Sequence, residues 1–182
     1  SDIGLSKSKQ AAKTASTLNP DISISQRATP LNTDNVQSLL TKHDLVIDCT
    51  DNAETRYLIG DAAHRYGRPL VFGGAVRMEG QVSVFQSGVK GHLGTPCYRC
   101  VFPAMPDLKQ APGCSEAGIL GPIAGLVGTL QALEAIKLIL GQRKTLTGRL
   151  LLIEGAGSNF IEIQTNTRIN CSCCGHATKD PL

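Results

Sequence analysis

The sequence contains no tryptophan, only two methionines, and 4% aromatic residues in all. That is too sparse to supply the stacking platforms on which single-stranded nucleic acid is held. Charge of one sign is not concentrated either. The net charge of +3 comes from scattered lysines and arginines, so no basic groove for nucleic acid is expected. No signal-peptide pattern leads the chain and no initiating methionine is present. The seven cysteines are an odd number and include two CxxC pairs, which points away from a disulfide framework and toward a reducing compartment, the cytoplasm. No GxGxxG occurs anywhere in the 182 residues, so they carry no phosphate-cradling loop of that kind. The longest apolar stretch, Ile119 to Leu140, is interrupted by Thr129, Gln131, Glu134 and Lys137, and glutamate and lysine are costly in lipid. It reads as a buried helix, and no membrane partner is expected. Glycines and prolines near its start predict close packing, within the core or across a dimer interface.

At 182 residues with 41% apolar content, the chain is long enough for one real core and reads as a single domain over 1–182. Residues up to Leu18 read as a helix ended by Asn19-Pro20, and Ile22 to Ser25 alternates like a strand. Thr33-Asp34 offers N-cap chemistry for a short helix through Leu40. Leu45-Val46-Ile47 is a continuous apolar run, as for a parallel strand covered on both faces. A helix from Asn52 to Tyr66, stopped by Gly67, leads to a second buried strand at Pro69 to Phe72. After Gly73-Gly74 the rhythm changes. Gln81 to Phe85 alternates, and Gly148–Ile153 with Asn159–Gln164 predicts a hairpin across Gly155 to Ser158. The fold class expected is α/β, with a sheet that is parallel in its first half and mixed or antiparallel in its second. Residues 101–118 hold three prolines and read as a crossover loop, and 176–182 as a flexible tail.

Cys97-Tyr-Arg-Cys100 and Cys171-Ser-Cys-Cys174 stand about seventy residues apart. Each pair presents two thiolates on one tight turn, and together they supply the four soft tetrahedral ligands that Zn²⁺ prefers. Such a site is closed and structural, so chemistry belongs elsewhere. The alternative is a set of separate free thiols. Cys173 is then spare, since using it gives CxC spacing, and Cys49 reads as a small apolar filler of a core strand. Asp48, Asp51 and Asn52 follow one parallel strand and Gly73-Gly74 the next, so both face the crevice beyond the strands' carboxyl ends. A carboxylate there can hold Mg²⁺ on a nucleotide phosphate. The plainer alternative is that Asp51 or Asn52 only caps the helix, worth about 1 kcal/mol.

Several motifs resemble one family together and in order: Asp48-Cys-Thr-Asp-Asn52 with Arg56, Gly74 to Gln81, Pro96 to Cys100, Gly125 to Lys137, and the terminal CxxC before Gly175. They are similar to the ThiF/MoeB/HesA family, relatives of the ubiquitin-activating enzymes. The resemblance spans about Gly4 to Gly175 and implies a Rossmann-like three-layer fold. It implies ATP-dependent adenylation of the C-terminal Gly-Gly carboxylate of a ubiquitin-like sulfur-carrier protein, in thiamine or molybdopterin biosynthesis. By position, Asp51 matches the family's Mg-ATP aspartate and Lys7 its phosphate-contacting lysine, with Asn52 and Arg56 in the same nucleotide motif. Gly74, Arg77 and Glu79 fall where the carrier tail is bordered, though Arg77 and Glu79 also read as an exposed turn before a strand. Cys114 falls where some members place a thiol that links to the carrier, and it equally reads as an inert loop cysteine. Cys97, Cys100, Cys171 and Cys174 match the family's zinc ligands. A homodimer and a cysteine desulfurase are further partners the resemblance suggests.

The pattern departs at the front, where the family's Gly-rich nucleotide loop is not found. These residues therefore read as the C-terminal two-thirds of such a domain, inactive alone. A second reading is a non-catalytic, zinc-stapled module that dimerises and docks a ubiquitin-like partner. A nicotinamide oxidoreductase, suggested by the βαβ rhythm only, explains neither CxxC pair.

Overall fold

The computed structural model describes residues 4–106 and 117–175. Its contacts divide the chain into two compact units, Ser1–Leu31 and Asn32–Leu182. In the first, α1 (Lys7–Leu18) ends as expected at Asn19, whose N–H donates to the Ala15 carbonyl. The expected strand at Ile22–Ser25 is not formed. Both isoleucines are exposed there, because alternation alone makes no strand without a neighbour to pair with.

The second unit is built on a five-stranded sheet in the order β1-β2-β3-β4-β5. The strands are β1 (Val46–Asp48), β2 (Leu70–Val76), β3 (Glu79–Phe85), β4 (Arg149–Glu154) and β5 (Asn159–Gln164). β1 and β2 are parallel, and every later pairing is antiparallel, which is the change of sheet character the sequence predicts. The β4–β5 hairpin forms across Gly155–Ser158, pairing Glu154 with Asn159. The β2–β3 hairpin went unread. β2 runs straight through Gly73-Gly74 to a two-residue turn at Arg77-Met78, where Arg77 has φ of 52°. β1 lies at the edge of the described sheet and leaves Ile47 exposed, instead of being covered on both faces.

Helices flank both faces of β2. α2 (Val36–Leu40), α3 (Ala53–Arg65) and α4 (Tyr98–Val101) follow one another, with α3 in contact with α2, α4 and β1; α5 (Gly121–Ile139) packs on β2 and β3. The two glycines of β2 report the layering. A Cβ on Gly73 would meet Gln131 of α5, whereas one on Gly74 would meet Arg56 of α3. Between sheet and α5 lie Val71, Val82, Val84, Ile123, Val127, Ala135, Leu146 and Ile153. On the α3 side, the few aromatics are concentrated: Tyr57, Phe72, Phe85, Tyr98 and Phe102 stack with centroids 4.8–6.3 Å apart. Tyr98 lies between two of the clustered cysteines, so this packing fastens that segment to the sheet.

α5 is long and apolar enough to cross a membrane by length and composition. Its buried stripe is Ile123, Val127, Gln131, Glu134 and Ala135, while Leu126, Leu133, Ile136 and Ile139 are exposed. The expected buried helix is thus only half buried, and two of its polar residues, Gln131 and Glu134, are on the inside. Glu134 pairs with Lys137 and accepts the Leu146 N–H at 2.8 Å, which satisfies a charge that would be costly to bury alone. Within the chain its glycines make no close packing: among the described residues, nothing lies within 4 Å of a Cβ at Gly121, Gly125 or Gly128.

Candidate functional site

The turn from β1 into α3 carries the carboxylates the sequence singles out. Asn52 is the N-cap, its Oδ1 accepting the Thr55 N–H at 2.9 Å. The capping role anticipated for Asp51 or Asn52 therefore falls to Asn52, and Asp51 stays exposed with its side chain uncommitted to the cap. Asp51 stands beside the amino end of a 13-residue helix, where the dipole favours a negative ligand.

The turn is braced from beneath. Asp48, 1% exposed, accepts the Thr50 N–H at 2.8 Å and the Thr50 hydroxyl at 2.7 Å through Oδ1. Its Oδ2 is buried with no partner among the described residues. Arg56 reaches back from α3 to donate Nε and Nη2 to the Thr50 carbonyl at 3.0 and 2.6 Å, and Nη2 also meets the Gly73 carbonyl at 3.4 Å. Its guanidinium lies 5.2 Å from the Phe72 ring centroid. Arg56 is therefore a clamp across the ends of β1 and β2.

Gln131 closes the bracing from the opposite face. It is 3% exposed, and its Nε2 donates to the Asp48 carbonyl at 2.7 Å and the Val71 carbonyl at 3.3 Å. The Cys49 thiol donates to its Oε1 at 3.4 Å. Cys49 is thus not a core filler: the residue is exposed, one position beyond β1. Sequence reading missed Asp48, Thr50 and Gln131 as a network. The available signal was an amide inside an otherwise apolar helix, which must find partners if it is buried.

Arg77 and Glu79 lie at the carboxyl end of β2, the end where β1 delivers Asp51. The Arg77 N–H donates to the Gly118 carbonyl at 2.8 Å, and its carbonyl accepts from Leu120 N–H at 2.9 Å. The hairpin is thereby stapled to the segment that enters α5. The side chains of Arg77 and Glu79 are exposed, and Gly74 is buried within β2. Lys7 is exposed on α1, in the other compact unit. Cys114 lies outside the described residues, as do most of the expected crossover loop and the 176–182 tail.

The second cluster joins α4 to residues 171–174. Cys97 Sγ lies 3.7 Å from Cys100 Sγ and 3.4 Å from Cys171 Sγ, and Cys100 Sγ is 3.3 Å from Cys174 Sγ. All four sulfurs fall within 4.8 Å of one another. A tetrahedral ion with metal–sulfur bonds of ~2.3 Å sets its sulfurs roughly 3.8 Å apart, so the donor set fits a soft four-coordinate metal. Burial raises the Cys171 thiol, but the N–H groups of Cys174 and Cys173 and the neighbouring thiols outweigh it and bring it down to about 7. The support is extensive: Arg99 forms a bidentate pair with Asp61 of α3 at 2.6 and 2.7 Å, and the Arg168 N–H points at Cys100 Sγ, 3.4 Å away.

Comparison with known proteins agrees with this geometry. The ThiF family model matches residues 1–174. The chain belongs to the ThiF family. Its similar ThiF-type relatives include "Adenylyltransferase and sulfurtransferase MOCS3" of Drosophila grimshawi, 42% identical over 172 residues that cover 94% of this chain and 37% of the relative. Another is "Sulfur carrier protein adenylyltransferase" of Thermus thermophilus, 40% identical over 96% of this chain and 64% of the relative. The chain therefore spans less than two thirds of these relatives' length. Among solved structures, E. coli MccB superposes with a TM-score of 0.74 at 18% identity, covering 96% of this chain and 51% of MccB. Its complex with ATP gives 0.72 at 17% identity, covering 96% and 52%. At that identity the likeness establishes the ThiF-type fold.

Proposed function

We infer that this chain is the carrier-binding and metal-holding part of an ATP-dependent adenylyltransferase acting on a ubiquitin-like sulfur-carrier protein. The observation that carries the reading is an uncommitted aspartate, Asp51, on a rigidly braced turn at a helix amino end in a ThiF-family chain. In the proposed reaction the carrier's terminal Gly-Gly carboxylate attacks the α-phosphorus of ATP, the acyl–phosphate bond forms and pyrophosphate leaves. Asp51 would hold the Mg²⁺ that neutralises phosphate charge, with Lys7 as a phosphate contact. Asn52 and Arg56 would belong to the same nucleotide site and fix its turn, Asn52 through Oδ1 on Thr55 and Arg56 through Nε and Nη2 on Thr50 and Gly73. Gly74, Arg77 and Glu79 would border the extended tail, at the end of β2 that runs on past its pairing with β1. Cys114 would serve as a thiol toward the activated carrier.

Zn²⁺ is the proposed occupant of the Cys97, Cys100, Cys171 and Cys174 cluster, with a structural role, since no fifth position is left for substrate. The exposed apolar stripe of α5 (Leu126, Leu133, Ile136, Ile139) supports a homodimer contact. A cysteine desulfurase as sulfur donor, a cytoplasmic setting that keeps the thiols reduced, and thiamine or molybdopterin synthesis as the pathway complete the reading. Residues 1–182 would form the C-terminal two-thirds of one adenylation domain.

Two expected results test this. In the intact protein, Asp51→Asn should cut carrier-dependent ATP–pyrophosphate exchange by about a hundredfold or more. Its thermal midpoint should stay close to wild type, since Asp51 is exposed. An unchanged exchange rate removes Asp51 from the site. The 182 residues alone should show no exchange, for they contain no Gly-rich phosphate loop. Robust exchange by this polypeptide would refute that. If the intact protein binds a carrier but never exchanges pyrophosphate, the docking-module reading replaces this one.

A further inference from the structure

The metal cluster contains one sulfur too many. A tetrahedral ion takes four thiolates, yet a fifth thiol, Cys173, packs against the same group and interacts directly with Cys97. The two sulfurs differ in access. Cys97 is 1% exposed, whereas Cys173 is half-buried and lines a cleft of about 340 Å³ together with Asp61, His64, Arg65 and Ser172. Cys174, also half-buried, is engaged with Cys100 at 3.3 Å. Cys173 is therefore the sulfur of the cluster that a small polar molecule reaches without first displacing a ligand.

We propose that Cys173 is an oxidation site through which a hydroperoxide opens the clasp and releases its metal. The reaction has two balanced steps. The Cys173 sulfur attacks the peroxide O–O bond; an S–O bond forms, the O–O bond breaks, the thiol is oxidised to a sulfenic acid, and the hydroperoxide is reduced to an alcohol or water. The Cys97 thiolate then attacks the Cys173 sulfur; an S–S bond forms, the S–O bond breaks, and the oxygen leaves as hydroxide, which takes a proton from solvent to become water. The ion loses one of its four thiolates and its closed shell. This rests on metal occupancy of the clasp and is independent of whether the protein adenylates a carrier.

The test uses the zinc-loaded 182-residue chain treated with hydrogen peroxide in the presence of a chromogenic zinc chelator. Wild type should release its zinc in step with the loss of two of its seven thiols, counted after denaturation, and peptide mapping should find a Cys97–Cys173 disulfide. Cys173→Ser should bind zinc equally and retain it under the same treatment, and Cys49→Ser should behave as wild type. Release from Cys173→Ser at the wild-type rate, or a disulfide joining Cys97 to Cys100 or Cys171 to Cys174 instead, overturns the inference while leaving the zinc reading intact. A wild-type chain that takes up no zinc overturns both, whatever its activity.

Discussion

Cys100→Ser is expected to strip the clasp of metal and to lower the thermal midpoint by about 10–20 °C. Structural zinc contributes an apparent ~10–16 kcal/mol to small domains that have little other core. Here the aromatic packing of Tyr98 and the Arg99–Asp61 pair remain, so a loss on the order of 5 kcal/mol is the fair expectation. For a chain of this size each kcal/mol moves the midpoint by roughly 2–4 °C. The hydroxyl of serine is a poor replacement for a soft thiolate, and the three remaining sulfurs would face an ion with an open position. The measurements are metal-to-protein ratio and a thermal melt with and without chelator. Wild-type protein that carries no metal, or a variant that melts with it, would sink the clasp as a stabilising element.

The second large effect is predicted at Gln131. Gln131→Leu keeps the volume but removes two buried hydrogen bonds, to the Asp48 and Val71 carbonyls, each worth about 0.5–1.5 kcal/mol net. A loss of about 1–3 kcal/mol follows, read in a denaturant melt. Gly73→Ala should cost a similar amount by the same route. Its Cβ would stand 2.2 Å from Gln131 Cδ, so the amide must leave its hydrogen bonds. The two changes act on one contact and should be strongly non-additive. In the Gly73→Ala, Gln131→Ala double variant the alanine at 73 should add little. Additive losses would mean that Gln131 is not what excludes a side chain at position 73.

These two sites divide what could be read in advance from what could not. The cysteine pairs were legible, because CxxC spacing places two thiols on one turn whatever the rest of the chain does; the fold then brings Cys97 and Cys100 against Cys171 and Cys174, 74 positions away. The Asn52 cap, the stop at Gly67 with φ of 61°, and the β4–β5 hairpin were legible for the same local reason. The strand at Ile22 was misread because a two-residue period has no meaning without a partner strand. β2 was cut short at Gly73-Gly74 because paired glycines usually mark a turn. Here they are small because Gln131 and Arg56 press on the sheet from opposite faces.

Composition and short-range spacing thus determined the class of fold, the two thiol pairs and the turn that presents Asp51, since each shows in a pattern a few positions long. Tertiary structure alone decided that Gln131 faces inward while Leu133 and Ile136 face out, and that Cys173 rests against Cys97. Gln131 and Asp48 are 83 positions apart. Which partner satisfies a buried amide, and which thiol is left beside a full set of four, depends on how distant segments are packed, and no periodicity in the chain encodes that directly.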